Sequence, residues 1–297
     1  MRSCRMSMTW KKDQPHSGGW RYAGEKLHQQ WERLHLTDCE PWPDARRIAA
    51  LARQEPRFAH LVAALRGAAV MAEQLQAAWR AFHAGDFAAA VELGDRLGAP
   101  GACVANKSVA VQALYAGHSD AQKLRILTTA MRRGEAAVAQ LPDYPNAHYM
   151  LALVLGRYSQ RISILKALAQ GLAGRVRTHL ERTLELEPRH AEAHVALGLY
   201  HAEIVSQLGR LAASLTYGAS ADAALEHFHR AAQLAPACAI VHIEHAHALL
   251  LLDADRYRGQ AQILYERAAA CQPRDAMESL DVRHAQRGLP AAAKQRT

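Results

Sequence analysis

Four prolines in the second half of the chain each follow a helical pattern of the same design. They are Pro142, Pro188, Pro236 and Pro273. Eight residues before each proline stand, in turn, Gly134, Leu180, Phe228 and Tyr265. Ten residues after the first three prolines stand the small residues Ala152, Gly198 and Ala246, which allow a neighbouring helix to approach closely. This recurrence predicts a stack of similar helical units, because one such unit cannot bury its apolar face alone.

The first half of the chain shows the same kind of unit less clearly. Aromatic residues make up only 6% of the chain and alanine is abundant, a composition that favours helices. Apolar residues recur at steps of three and four from residue 57 to 84 and predict one long helix. Gly85 and Asp86 then turn the chain into a second helix that ends near Leu97. We expect the glycine-rich residues 98–101 to form a loop between hairpins.

The repeat spacing is irregular, at 46, 48 and 37 residues between successive prolines. The same residue types recur at fixed distances before and after these prolines. The residues in excess of the usual repeat length must therefore lie between the two helices of a repeat. We place them around residues 156–174 and 202–220, as longer helices or an extra turn.

These units resemble the tetratricopeptide repeat (TPR) family. The closest matches are L-E-L-E-P-R-H-A-E-A-H-V-A-L-G at residues 184–198 and A-D-A-A-L-E-H-F-H-R-A-A-Q-L-A-P at residues 221–236. The resemblance implies an all-α fold, an α-solenoid of antiparallel helical hairpins. Two successive repeats with long insertions resemble a subgroup that contains the regulator of microtubule dynamics proteins and the T component associated with TRAP transporters. Microtubule binding is implied only by the eukaryotic relatives.

The chain divides into four predicted parts. They are a tryptophan-rich N-terminal arm (1–44), divergent helical hairpins (45–141), TPR-like repeats (142–275), and a capping helix with a loose tail (276–297). Trp20, Leu27, Trp31 and Leu34 lie on one face of a possible helix in the arm. We expect the arm to fold over the main body, with partner binding as the alternative, and Asp44 to cap a helix that begins at Ala45. The closing helix is expected to stop at Gly288-Leu289-Pro290.

Composition limits the location and the partners. The net charge of +8 is mild, and five cysteines with no short spacing disfavour both disulfides and a C-x-x-C metal site. The first twenty residues lack the apolar run of a signal peptide. Residues 237–252 are apolar but too short to cross a bilayer. We therefore expect a cytoplasmic protein with no membrane span.

The 17 histidines do not indicate a metal site. His148, His194 and His242 each stand six residues after a proline, so one structural position explains all three. His227 and His229 flank Phe228 and are expected to face solvent. No H-E-x-x-H, G-x-S-x-G or phosphate-binding glycine loop is present. The sequence therefore predicts no cofactor, no metal and no catalytic residues.

The predicted function is a non-catalytic scaffold that binds a protein or peptide segment in a concave groove. The predicted groove positions are Tyr149, Leu153, Arg157, Val195, Leu199, Glu203, Ile243, His247 and Leu250. A basic patch, with Glu181 as the only acid in its interval, comprises Arg157, Arg161, Lys166, Arg175, Arg177 and Arg182. Its alternatives are a solvated face or a surface for an acidic partner; nucleic acid is disfavoured because no aromatic residues alternate with the charges.

The resemblance to the transporter T components implies a second function, a small-ligand or metal-binding accessory subunit. A closed polar pocket near His201, Glu203 and His245 would favour that function, and an open groove would favour the scaffold.

Overall fold

The computed structural model describes residues 20–162 and 164–294, and these residues form helices joined by turns and short loops. The helices are α1 (Lys26–Leu34), α2 (Ala45–Gln54), α3 (Pro56–Ala64), α4 (Ala68–His83), α5 (Phe87–Gly94), α6 (Gly98–Tyr115), α7 (Asp120–Gln140), α8 (Pro145–Ser159), α9 (Ile164–Ala169), α10 (Leu172–Leu186), α11 (Ala191–Leu208), α12 (Arg210–Tyr217), α13 (Ala221–Leu234), α14 (Ala239–Ala270) and α15 (Ala276–Lys294). The all-α prediction is confirmed.

Most of these helices pair as antiparallel hairpins that stack in chain order. The hairpins are α4 with α5, α6 with α7, α8 with α10, α11 with α13, and the two halves of α14. The halves of α14 are separated at Asp253, whose backbone is extended and whose carboxylate accepts the Arg256 N–H at 3.0 Å. Leu249 before this break packs near Leu264 after it. The chain is therefore an α-solenoid of helical hairpins, as the recurring residues around the prolines predict.

The small residue that follows one proline packs against the large residue that precedes the next proline, as expected. A Cβ placed on Gly198 of α11 would lie 2.7 Å from Cε2 of Phe228 on α13, and Phe228 is fully buried. The histidine that stands six residues after a proline has the same structural role in three repeats. Nε2 of His148, His194 and His242 donates to the carbonyl of Pro142, Pro188 and Pro236 at 2.8, 3.2 and 2.8 Å. Each of these bonds ties the first turn of a repeat's first helix to the loop before it.

The surplus residues of two repeats form short helices between the paired ones. Helix α9 lies between α8 and α10, and α12 lies between α11 and α13. Arg177 of α10 donates to the carbonyl of Tyr217 at 2.6 Å, which fixes the end of α12 against the preceding repeat. The insertions are thus extra helical turns at the positions that the spacing indicates.

Residues 20–44 pack into the main body, whereas residues 1–19, including Trp10, lie outside the described residues. Leu27, Trp31 and Leu34 are the buried residues of α1. The Trp31 ring contacts Trp79 of α4 edge to face, with centroids 5.9 Å apart. The Asp44 side chain accepts the Arg47 N–H at 2.7 Å, which confirms it as the cap of α2.

Helix α15 returns toward the beginning of the solenoid. It packs along α14 and also contacts α4. Two hydrogen bonds join its start to the N-terminal part: Tyr22 Oη donates to the Arg274 carbonyl, and His83 Nδ1 donates to Asp275 at 2.8 Å. Helix α15 therefore joins the end of the stack to its beginning.

Three local predictions are wrong. The helix predicted over residues 57–84 is interrupted at Arg66 and Gly67, whose φ angles of 67° and 107° end α3 and begin α4. Residues 98–101 begin α6 instead of forming a loop, since Pro100 lies in its first turn, where no helical N–H donor is needed. Helix α15 continues through Gly288-Leu289-Pro290 to Lys294. Residues 295–297 of the predicted tail lie outside the described residues.

Candidate partner-binding cleft

The first helices of successive hairpins line a cleft that α15 borders on one side. It consists of two adjoining cavities of about 290 Å³ and about 440 Å³. The larger part of its wall is apolar and includes Val111 of α6, Leu153 of α8, Leu199 of α11 and Ile240 of α14. Several residues border both cavities and join them, among them Tyr115, Arg157, Glu203 and Glu244. The cleft thus crosses four hairpins.

Most of the predicted groove residues lie at this cleft. Tyr149, Leu153, Arg157, Val195, Leu199 and Glu203 line the first cavity, and Ile243 and His247 line the second. Leu250 lines neither of them. Tyr149, Val195 and Ile243 are buried, so they present only a small part of their surface to the cleft. Whether these residues contact a partner stays a prediction.

The floor of the cleft holds a buried ion network. The Lys107 ammonium lies 2.5 Å from an Asp38 oxygen and 2.9 Å from a Glu192 oxygen, and all three residues are buried. Burial lowers the pKa of Lys107, but Asp38 and Glu192 outweigh it and the pKa is raised. The hydroxyl of Thr37 donates to Glu192 at 2.6 Å. The network therefore joins the N-terminal arm to α6 and α11 beneath the cleft.

A second polar layer extends this junction to α8. The Asn146 amide donates to the Asp38 carbonyl at 2.9 Å and to Glu40 at 2.6 Å, and Tyr144 donates to Glu40 at 2.6 Å. Burial raises the pKa of Glu40 to about 7. His190 caps α11 through its Nδ1 and donates from Nε2 to Asn146 at 2.9 Å, and its burial lowers its pKa to about 4. These contacts have a structural role.

The middle of the cleft carries a mixed charged cluster. Arg157 of α8 lies 3.6 Å from Glu244 of α14, and His247 lies 3.7 Å from the other oxygen of Glu244. Burial raises the pKa of Glu244, but His247 and Arg157 outweigh it, so the pKa is lowered. Glu203 of α11 accepts a hydrogen bond from the Gln160 amide at 3.0 Å and forms no ion pair with a described residue. Burial raises the pKa of Glu203.

Helix α15 contributes one carboxyl group to the cleft. Asp281 is buried and accepts a hydrogen bond from the Tyr115 hydroxyl. Burial raises the pKa of Asp281 to about 8, with Glu278 and Asp275 adding to the effect. At pH 7 this carboxyl is mostly protonated, so it adds little negative charge to the free cleft.

The structure places the arginines of the basic patch in ion pairs. Their partners are Glu244 for Arg157, Asp120 for Arg161, Glu135 for Arg175, Glu181 for Arg177, and Asp143 and Glu185 for Arg182. Lys166 is exposed on α9. All but one of these acids lie outside the interval 157–182, so the sequence interval alone does not show them. Binding of an acidic partner to this patch stays a prediction.

The histidines do not form a polar pocket with Glu203. His201 is stacked on His227, with ring centroids 5.8 Å apart, and His245 is stacked on Phe228 at 4.9 Å. His227 is half-buried and its Nδ1 lies 2.9 Å from Nδ1 of His194, so the prediction that it faces solvent is wrong; it packs back onto α11. His229 is exposed as expected. Within residues 20–162 and 164–294, no group of three or more His, Cys, Asp or Glu could hold a metal ion.

Sequence reasoning does not find the residues beneath the cleft. Lys107 is the only charged residue of α6 and lies within an otherwise apolar and small-residue helix. Asp38 and Glu40 lie in the short acidic segment T-D-C-E of the arm. An isolated charge on a buried helix indicates a buried partner of opposite sign. Without the tertiary contacts, the sequence does not reveal which acidic residue pairs with Lys107.

Comparison with known proteins identifies the family. The family model for regulator of microtubule dynamics protein 1-3 matches residues 104–284, more than half of the chain. The chain belongs to this family. The match extends from α6 into α15, so it includes the helices that line the cleft.

Among solved structures, this member of the family is similar to TTC0263, a thermophilic TPR protein of Thermus thermophilus. The two are 17% identical, the alignment covers 73% of this chain and 98% of that chain, and the TM-score is 0.53. This likeness shows the TPR fold. No curated protein matches the chain at a significant level. The TPR-like fold and the family together suggest a protein-interaction scaffold. Within the described residues, no helix is long and apolar enough to span a membrane.

Proposed function

We propose that this protein is a non-catalytic scaffold that holds an apolar segment of a partner protein in the cleft between α6, α8, α11, α14 and α15. The observation that supports this most is the apolar wall to which Val111, Leu153, Leu199 and Ile240 contribute from four successive hairpins. An extended or helical segment of several residues can contact all four, as in other groove-type recognition. Affinity would come from apolar burial, and a few polar groups would set the orientation.

Two features of the described residues support a non-catalytic role. The floor charges of Lys107, Asp38 and Glu192 satisfy one another, and the described cysteines Cys39, Cys103, Cys238 and Cys271 are free thiols. The raised pKa of the Cys103 and Cys238 thiols follows from their burial. These thiols are thus poor nucleophiles at neutral pH. A cytoplasmic location, inferred from cysteine usage, is part of the same proposal.

Selection of peptides from a random library on the full chain tests the proposal. Leu153→Glu places a charge in the cleft wall, and Ile263→Glu is the matched control because Ile263 is 51% exposed and lies outside the cleft. We expect peptides selected on the wild type to lose binding to Leu153→Glu and to retain binding to Ile263→Glu, with both variants folded by circular dichroism. Equal binding to the two variants would refute the cleft as the site.

A small apolar ligand is the second candidate function, because α15 partly encloses the cleft and the first cavity of about 290 Å³ is close to the volume of small-molecule pockets. Native mass spectrometry of the purified chain distinguishes the two. A bound molecule of a few hundred daltons that prevents peptide binding would favour the ligand, whereas an empty cleft that binds peptides would favour the scaffold.

A further inference from the structure

Charge is unevenly balanced along the cleft. Lys107 is neutralised on the floor by Asp38 and Glu192, and Arg157 is neutralised by Glu244. Among the described side chains, Glu203 has only the neutral amide of Gln160 as a hydrogen-bond partner. It is half-buried and borders both cavities, so it lies where they join. A half-buried carboxylate that has no ion pair of its own is the group in this cleft that an incoming positive charge would stabilise most.

The surroundings of Glu203 favour a positive charge. Glu244 and His247 lie on the facing helix, Arg157 and Gln160 on α8, and Asp281 on α15. Arg157 and His247 already contact Glu244. A cation placed beside Glu203 would thus meet a carboxylate that forms no ion pair of its own with a described residue. An anion placed there would be repelled by Glu203, because the cations that act on this carboxylate, Arg157 and His247, are already paired with Glu244.

From this charge complementarity we infer that the partner segment presents a lysine or arginine side chain to Glu203, between two apolar side chains that occupy the adjoining cavities. This inference rests on the proposed function, since it names the chemistry of the segment that the cleft holds. It differs from the acidic partner that the arginine-rich interval suggests, which would bind a different set of residues. The apolar neighbours would contact Leu199 and Val176 on one side and Ile243 on the other.

Peptide selection on variants of the full chain tests this chemistry. Random twelve-residue peptides are selected separately on the wild type, Glu203→Gln, Glu203→Lys and Glu73→Gln, the last being an exposed carboxylate on α4 outside the cleft. We expect lysine or arginine between apolar residues to be enriched on the wild type and on Glu73→Gln. The enrichment should be absent on Glu203→Gln, and aspartate or glutamate should replace it on Glu203→Lys.

Binding of one selected peptide then measures the pair directly. Fluorescence anisotropy should give about tenfold weaker binding when either Glu203 or the peptide's basic residue is changed to glutamine. Changing both should weaken binding little further, since the two groups act on one another. Additive losses, or no enrichment of basic residues, would overturn the inference. If such peptides still lose binding to Leu153→Glu, only the inference about Glu203 is wrong and the proposed function stands. If they bind Leu153→Glu as well as the wild type, the proposed function itself is wrong.

Discussion

The contact between Gly198 and Phe228 offers the sharpest test of the repeat packing. A Cβ on Gly198 would lie 2.7, 2.8 and 3.1 Å from three ring carbons of Phe228. Ordinary contacts between carbon atoms are about 3.5–4.0 Å, so the ring would have to move by roughly 0.8 Å. It has little space to do so, because Phe228 is fully buried and its ring is also stacked on His245. Gly198→Ala should therefore overpack this contact.

The expected cost has two parts of opposite sign. Overpacking a well-packed core costs about 1–3 kcal/mol, while replacing glycine by alanine inside a helix gains about 1 kcal/mol. Gly259→Ala isolates the second part, because Gly259 lies inside the second half of α14 and a Cβ there meets nothing within 4 Å. The difference in unfolding free energy between the two variants should thus be about 1–3 kcal/mol, with Gly198→Ala the less stable.

Thermal and urea unfolding of the two variants measure this difference. In a chain of this size, each kcal/mol shifts Tm by about 2–4 °C. A double variant provides the second check: in a Phe228→Leu background the ring is gone, so Gly198→Ala should cost less than in the wild type. If Gly198→Ala and Gly259→Ala are equally stabilising, the close approach of α11 and α13 is wrong, and so is the repeat register.

Two further predictions concern the core and the cleft. Ala224→Leu should destabilise the chain by about 1–3 kcal/mol in urea unfolding, because Ala224 is fully buried in the core beside Phe228; unchanged unfolding would contradict the packing. Asp281→Asn keeps an acceptor for Tyr115 but cannot ionise. Because the pKa of Asp281 is raised to about 8, the wild type loses stability as pH rises from about 4 to 8, by at most about 5 kcal/mol. The unfolding free energy of the variant should therefore rise relative to that of the wild type over that range. Parallel plots of unfolding free energy against pH for the two proteins would refute the raised pKa.

The sequence predicts the stack of hairpins because its determinants are local and recur. The small residue at Gly198, the ring at Phe228 and the histidine of each repeat occupy fixed positions relative to a proline, so comparing repeats within one chain is enough. The break at Arg66 is different. A helical pattern continues across it, whereas the structure ends α3 with a local cap in which the Arg66 and Gly67 N–H groups donate to the Ala63 and Val62 carbonyls. Such a break leaves no periodic signal.

The cleft can be predicted only in part. Eight of the nine predicted groove residues line it, since they occupy equivalent positions on first helices. The repeat pattern does not point to Asp281, because its role depends on α15 crossing back over the stack. The ion pairs of the basic patch depend on tertiary contacts in the same way. Arg161 and Arg175 pair with Asp120 and Glu135, which lie about forty residues earlier on α7 of the preceding hairpin. No spacing within the interval 157–182 contains that information.

The closure of the solenoid by α15 bears on how the cleft can bind. In an open stack each hairpin contacts only its neighbours, so small rotations add along the repeats and the groove changes width. Here Tyr22 holds the Arg274 carbonyl, and His83 holds Asp275, so both ends of the stack are tied together. Lys107 joins the arm to α11 beneath the cleft as well. A cleft held at three points is preorganised, and a partner segment that fits it pays less for ordering the site than it would in an open superhelix.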